Sequence, residues 1–358
     1  MGAEHTRPLD QLRRDDEQLF GGKSTSLGEL IASEIPVPPG FAVASAAFQA
    51  FLEDAGLIDR IERELSGLDP EDLEALAAAS GAIGESVRAA PLSEAVRGEI
   101  ASRYGELGAA VGDPEPPVAV RSSALGEDSA EATFAGQQET YLWVRGPESV
   151  CDAVRDCWAS LYSPPAIAYR RKMGKAGQTP AMGVVVQLMV DAAVSGVMFT
   201  CNPVSGDPSS VAVNASWGLG LAVVGGEVTP DEYRVSKVTR EVLHRTIGPK
   251  AVEYLPDPAG GGTVRADVAA DRQQVACLDD EHLDALADLA RGVERHFGCH
   301  QDIEWALARD GSLPSSLFVL QSRPVTTAPK QDPPRERRSA MSLVMGTFGA
   351  GGDAGEKS

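Results

Sequence analysis

No stretch of the 358 residues approaches the roughly 18 consecutive apolar positions needed to cross a bilayer, so no membrane-spanning helix is expected. Net positive charge is also missing. The chain carries 32 Lys and Arg against 52 Asp and Glu, a formal net charge of −20. Nucleic acid is therefore not an expected partner, because a polyanion gains nothing from a second one. The balance leaves ATP open, since a local cationic pocket can sit on an acidic surface. Cysteine is scarce: Cys151, Cys157, Cys201, Cys277 and Cys299 are odd in number and form no Cys-x-x-Cys. That reads as free thiols in a reducing compartment, not as a disulfide framework. His296-Phe297-Gly298-Cys299-His300 has ligands at possible metal spacing, but no second cluster completes a zinc site. The start, Met1-Gly2-Ala3-Glu4, leads into polar, charged sequence, so no signal peptide and a cytoplasmic location are expected. No internal repeat is visible.

What is present is a 43 % hydrophobic chain long enough for about two domains and a sizeable core. Residues 1–20 read as charged and irregular. Gly21-Gly22-Lys23-Ser24 then opens a helical pattern from Leu27 to Ile31. A P-loop would need glycine at position 17, where Glu17 stands. What remains is a Gly-rich turn that brings Lys23 to a helix N-terminus, where anions are favoured, or an ordinary helix start with a surface lysine. Ala44 to Leu52 reads as a helix that Ser45 could cap, and residues 53–115 as a helical lobe.

Val118-Ala119-Val120 reads as a short strand ending at Arg121. Thr133 to Thr140 follows, with Gly136 allowing close backbone approach to a ligand: a phosphate-covering loop or a surface turn. Gly183 to Val190 is a buried strand by its apolar continuity, and its end could offer Met189 to an adenine ring. Further strands are expected at Ser195–Thr200, at Val211–Ala215 and from Pro230. Residues 256–275 are Pro-, Gly- and Asp-rich and read as an excursion, and Asp279 to Phe297 as an amphipathic helix.

The densest chemistry lies near the end of the chain. Asp302 to Leu307 and Leu317 to Arg323 read as two strands of a hairpin, with turn chemistry at Asp310-Gly311 and Pro314. Alternation puts Asp302 and Glu304 on one face, roughly 6.6 Å apart, and pairs Gln321 with Arg323 in the same way. If those faces coincide, two carboxylates and an amide oxygen suit Mg²⁺, and the guanidinium suits a phosphate. The alternative is a surface hairpin with solvated charges. Beyond Pro324 the chain is polar and basic, then Gly-rich, so a disordered tail is expected.

Taken in order, GGKSTSLGEL (21–30), VPPGF (37–41), AVRSSALGEDSAEATFAGQQET (119–140), SGVMFTCNP (195–203), SWGLG (216–220), TPDEY (229–233), DIEW (302–305) and LQSRP (320–324) carry a family pattern. Over residues 20 to 325 the chain resembles the N-terminal nucleotide-binding domain of phosphoenolpyruvate synthase and pyruvate phosphate dikinase, which rifampin phosphotransferase shares. The resemblance implies an α+β, ATP-grasp-like fold of two lobes, 1–190 and 191–327, with residues 328–358 as the tail. It also implies ATP and Mg²⁺. Lys23, Arg121 and Arg323 would bind phosphates under a loop formed by Phe134, Ala135, Gly136 and Gln137. Gln187, Leu188 and Met189 would hold adenine. Glu304 and Gln321 would ligate Mg²⁺, with Asp302 nearby.

In that family the β-phosphoryl group of ATP passes to a histidine on a separate swivelling domain, in a setting like Thr-x-x-His-Ala. None of His5, His244, His282, His296 and His300 stands in such a setting. The resemblance therefore implies a partner subunit that carries the phosphohistidine domain, as in phenylphosphate synthase. The other readings are an excised domain of a larger synthase or rifampin-type kinase, and a non-catalytic nucleotide sensor.

Overall fold

The computed structural model describes residues 4–124, 139–174 and 178–325. Two antiparallel sheets dominate it. The first contains Thr6–Pro8 (β1), Gly40–Val43 (β2), Val118–Ala124 (β3), Thr140–Val144 (β4) and Met182–Leu188 (β5), in the spatial order β1-β2-β5-β3-β4. The second contains Ala192–Phe199 (β6), Ser210–Trp217 (β7), Asp231–Ser236 (β8) and Val242–Thr246 (β9). Two late strands, Gln301–Ala308 and Leu317–Pro324, complete it. Before that late pair in sequence, Val252–Pro256 (β10) and Thr263–Asp267 (β11) form a separate two-stranded ribbon, so the late pair are β12 and β13. The second sheet runs β13-β12-β6-β7-β8-β9. The fold is α+β with antiparallel sheets, as expected.

Strand alternation decides which side chains meet which layer. In the first sheet Phe41, Val43, Val118, Val120, Val184 and Val186 point to one face. There they bury against the helices Ser45–Asp54, Ile58–Leu65, Leu73–Ala89, Glu94–Val111 and Pro147–Ser160. Their neighbours Ala119, Arg121 and Gln187 point to the other face, towards the second sheet. In β12, Ile303, Trp305 and Leu307 enter a second core with Leu283, Leu286, Ala290 and Val293 of the helix Asp280–Phe297. Glu304 and Ala306 are left on the opposite face.

Several local expectations change. Residues 6–20 are structured: β1 pairs with β2, and Leu9, Leu12 and Phe20 belong to the second core. Ser45 does not cap its helix; Ala44 holds the cap position with no side-chain bond. The strand expected at 118–120 continues to Ala124, so Arg121 sits in mid-strand. The excursion expected over 256–275 is largely the β10–β11 ribbon and a short helix, Ala270–Gln273. Among the described residues, no helix is long and apolar enough to cross a membrane.

The helix Gly22–Ala32 joins the two sheets. Lys23 Nζ donates to the Ser122 carbonyl at 2.9 Å, and Ser26 Oγ donates to the Ser322 carbonyl at 2.9 Å. Gly21 caps this helix at φ +83°, and a Cβ there would lie 2.0 Å from the Ser123 carbonyl oxygen. Only glycine combines that dihedral with that approach.

Candidate functional site

A cavity of about 610 Å³ lies between the sheets. Eight of the residues singled out from the sequence line it: Lys23, Arg121, Gln187, Leu188, Met189, Glu304, Gln321 and Arg323. Asp302 does not line it; its carboxylate is ion-paired with Arg323 at 2.9 Å. Phe134, Ala135, Gly136, Gln137 and the tail 328–358 lie outside the described residues.

The register of the terminal hairpin brings its polar groups together. Asp302 is the Cα partner of Arg323, and Glu304 of Gln321. Strict alternation along β13 would have put Gln321 on the face of Leu317 and Val319, which is the core face. A bulge opposite the Glu304/Trp305 step prevents this: Trp305 pairs with Val319 while Glu304 pairs with Gln321, and Leu320 is the extra residue. One inserted residue reverses the facing of everything beyond it, so Gln321 and Arg323 turn to the cleft. The Leu320 carbonyl is then taken by Arg121 Nη1 at 3.1 Å.

Arg121 is the electrostatic hub. Its Nη2 meets Glu304 Oε2 at 2.5 Å, with side-chain exposures of 14 % and 23 %. Its Nε is buried with no hydrogen-bond partner. Burial by itself would raise the Glu304 carboxyl; the Arg121 guanidinium outweighs it, helped by Lys23 and Arg323, and the net shift is downward. Glu304 is thus held as a carboxylate. Asp302 moves the other way: burial raises it, against the pull of Arg323, and neighbouring Glu304 adds to the rise.

The far end of the cavity is apolar. Trp143, Ala192, Leu219 and Ala306 form a small core of their own, with Met189, Val190, Tyr254 and Leu320 against it. The residues expected at the adenine edge are braced by the protein. Gln187 Nε2 donates to the Pro38 carbonyl at 3.2 Å, Leu188 N to Pro39 at 2.9 Å and Met189 N to Pro117 at 2.9 Å. The backbone N–H groups of Leu188 and Met189 are thus already committed, while the Gln187 amide nitrogen has used one of its two donors.

Residues 17–342 match the family described as pyruvate phosphate dikinase, AMP/ATP-binding domain. The chain belongs to that family. It is 40 % identical over 336 residues to a probable phosphoenolpyruvate synthase of Staphylothermus marinus, covering 88 % of this chain and 40 % of that one. A probable phosphoenolpyruvate synthase of Methanothermobacter thermautotrophicus is 40 % identical, over 94 % of this chain and 48 % of its own length. The phosphoenolpyruvate synthase of Pyrococcus furiosus is 36 % identical, over 97 % and 47 %. The chain thus spans less than half the length of these relatives. It is an ATP-binding domain of the phosphoenolpyruvate synthase and pyruvate phosphate dikinase type.

The cleft of this ATP-binding domain fits a magnesium nucleotide. The orphaned Arg121 Nε lies in the cavity wall beside two further cations, Lys23 and Arg323, which suits a triphosphate. Glu304 and Gln321 offer a carboxylate and an amide oxygen as direct neighbours, the hard donors Mg²⁺ takes while keeping water and phosphate oxygens. Among the described residues no group of three or more His, Cys, Asp or Glu is placed to hold a metal. Sequence reading missed the lid side. Leu219, Gly220, Leu221, Val224, Gly225 and Tyr254 also line the cavity, and Leu219 N donates to the Tyr254 carbonyl at 2.9 Å, which ties the ribbon to it. Gly218, at φ +72°, has the Tyr254 carbonyl oxygen 2.5 Å from where a Cβ would stand. The SWGLG segment was the available signal; Tyr254 had none.

Proposed function

We propose that this domain is the ATP-binding subunit of a split dikinase-type phosphotransferase that works in the cytoplasm. In this reading the β-phosphoryl group of ATP passes to a histidine on a partner subunit, with AMP and phosphate as the other products. The partner then phosphorylates a small-molecule hydroxyl such as a phenol. The observation that carries the proposal is the pairing of a cleft lined by Lys23, Arg121 and Arg323 with the lack of a histidine among the described residues that line it. The acceptor must enter from elsewhere.

The roles follow from the geometry. Arg121 would exchange Glu304 for a phosphate oxygen and satisfy its Nε; Lys23 and Arg323 would take further phosphate oxygens. Glu304, released from Arg121, and Gln321 would hold Mg²⁺, which would neutralise charge on the phosphate oxygens. The apolar end, from Met189 to Leu219, would receive the base. Such a site works by positioning and charge neutralisation. We assign residues 1–190 and 191–327 to its two lobes.

The test is reconstitution. The domain alone should bind Mg·ATP and release almost no AMP; adding a companion with a phosphorylatable histidine, found by co-purification from the native host, should release AMP and label that histidine. Glu304→Ala and Arg323→Ala should abolish both. AMP formation that survives both substitutions would refute the site assignment. A second reading, the ATP-binding portion of a phosphoenolpyruvate synthase, is favoured by the names of the relatives and by their greater length. It predicts pyruvate-dependent AMP release once the rest of such a chain is supplied.

A further inference from the structure

A second cavity, of about 400 Å³, lies on the opposite side of the first sheet, among the helices. One side of it is apolar, with Leu52 and Ile61 buried and Ile58 and Leu65 partly so, and Glu62, Ser66, Gln178 and Thr179 stand at its rim. Two guanidiniums reach it from the helix Pro164–Lys172. Arg170 stacks over the buried Tyr162 ring at 5.4 Å, and its Nη1 donates to the Leu161 carbonyl at 2.5 Å. Arg170 Nη2 is sealed from solvent and has no partner. Arg171 Nη1 donates to the Leu65 carbonyl at 2.6 Å.

Neither arginine is ion-paired with a carboxylate among the described residues, in a chain where Asp and Glu outnumber Lys and Arg by 52 to 32. Glu62 stands at the cavity wall, exposed, and pairs with neither. Burial pushes the Arg170 guanidinium down from its ordinary value, and the smaller opposing pull of the Tyr162 hydroxyl does not offset it. A buried cation left without an anion is costly, and a bound anion would relieve that cost. A volume of this size and an apolar wall also lie within the ordinary range for small-molecule pockets.

We propose that this cavity binds a small amphipathic monocarboxylate, its carboxylate on Arg170 and Arg171 and its apolar body against Leu52, Ile58, Ile61 and Leu65. A planar guanidinium grips a carboxylate through two parallel hydrogen bonds, which would supply Arg170 Nη2 with its missing acceptor after a small tilt. The site is separate from the nucleotide cleft and does not depend on the function proposed for it.

Octanoate is the probe, with acetate as the charge without the body and octanol as the body without the charge. Calorimetric titration of the full chain should show octanoate binding at millimolar concentration, with both controls at least about tenfold weaker. Arg170→Gln and Arg171→Gln should each weaken octanoate by about tenfold or more, the loss of one charge-assisted hydrogen bond. ATP should not compete. Should Arg170→Gln fail to fold, Arg171→Gln and the cavity-filling Ile58→Trp carry the test, and the latter should abolish octanoate binding while nucleotide binding persists. No octanoate binding, octanol binding as tightly as octanoate, affinity indifferent to Arg171→Gln and Ile58→Trp, or competition by ATP would each overturn the proposal.

Discussion

Removing Glu304 should leave Arg121 stranded in the nucleotide-free protein, and nucleotide should rescue it. Arg121 is 14 % exposed and keeps only the Leu320 carbonyl when Glu304 is gone. Breaking a fully buried pair from one side costs about 3–5 kcal/mol, and Glu304 is 23 % exposed, so the cost of Glu304→Ala should be about 1–3 kcal/mol. With an unfolding entropy of about 2 cal/mol/K per residue, that lowers Tm by about 1–4 °C in a chain of this size. A double-mutant cycle with Arg121→Ala isolates the pair: the two changes together should cost less than their sum by about 1–2 kcal/mol. Thermal or urea unfolding measures the cycle, without ligand and with saturating ATP plus EDTA. Nucleotide should shrink the coupling, because phosphate replaces Glu304 as the partner of Arg121. Additive effects without ligand, or coupling unchanged by nucleotide, would refute the exchange.

Gln321→Ala should raise the Mg²⁺ concentration needed for half-maximal nucleotide binding by about tenfold while metal-free ATP binding changes little; fluorescence titration of an ATP analogue against Mg²⁺ measures it. Because the Glu304 carboxyl is lowered in the fold, its contribution to stability is complete above the unfolded value of 4.5 and is lost as pH falls through the folded value. Glu304→Gln should therefore flatten the decline of stability below about pH 4.5 seen in urea unfolding, and an unchanged slope would contradict the pairing. Asp302 runs the other way: its ionised form is disfavoured by burial, so that cost is relieved as pH falls. Gly21→Ala should destabilise by about 2–4 kcal/mol, from positive-φ strain and the collision with Ser123, and an effect below about 1 kcal/mol would mean the turn relaxes freely. Lys250 and Asp231 form an ion pair with both side chains fully buried, so Lys250→Met should cost about 3–5 kcal/mol by leaving Asp231 uncompensated, read from the urea midpoint.

Much of the site was legible because alternation is a local rule. Asp302 and Glu304 share a face by their spacing alone, and the structure keeps them there. Gln321 shows where that rule needs help. Its parity with Val319 places it in the core, and only the bulge at Leu320, a property of two paired strands, turns it outward. Arg121 and Glu304 are 183 positions apart, so no local pattern announces their contact. The helical lobe and the helix Asp280–Phe297 were plain from periodicity, with Leu283 and Leu286 buried and Leu289 partly so. The β10–β11 ribbon was hidden because the Pro- and Gly-rich turn around residues 256–262 masks two strands of five residues each, and Thr263–Asp267 has little apolar content.

The central claim is that a triphosphate and its magnesium lie between the two sheets, against the β12–β13 hairpin. A crystal structure of the domain with Mg²⁺ and a non-hydrolysable ATP analogue tests this most directly. The account predicts phosphate oxygens on Lys23, Arg121 and Arg323, metal on Glu304 and Gln321, and the base beside Met189. Nucleotide bound elsewhere, or Arg121 still paired with Glu304 beneath it, would contradict it.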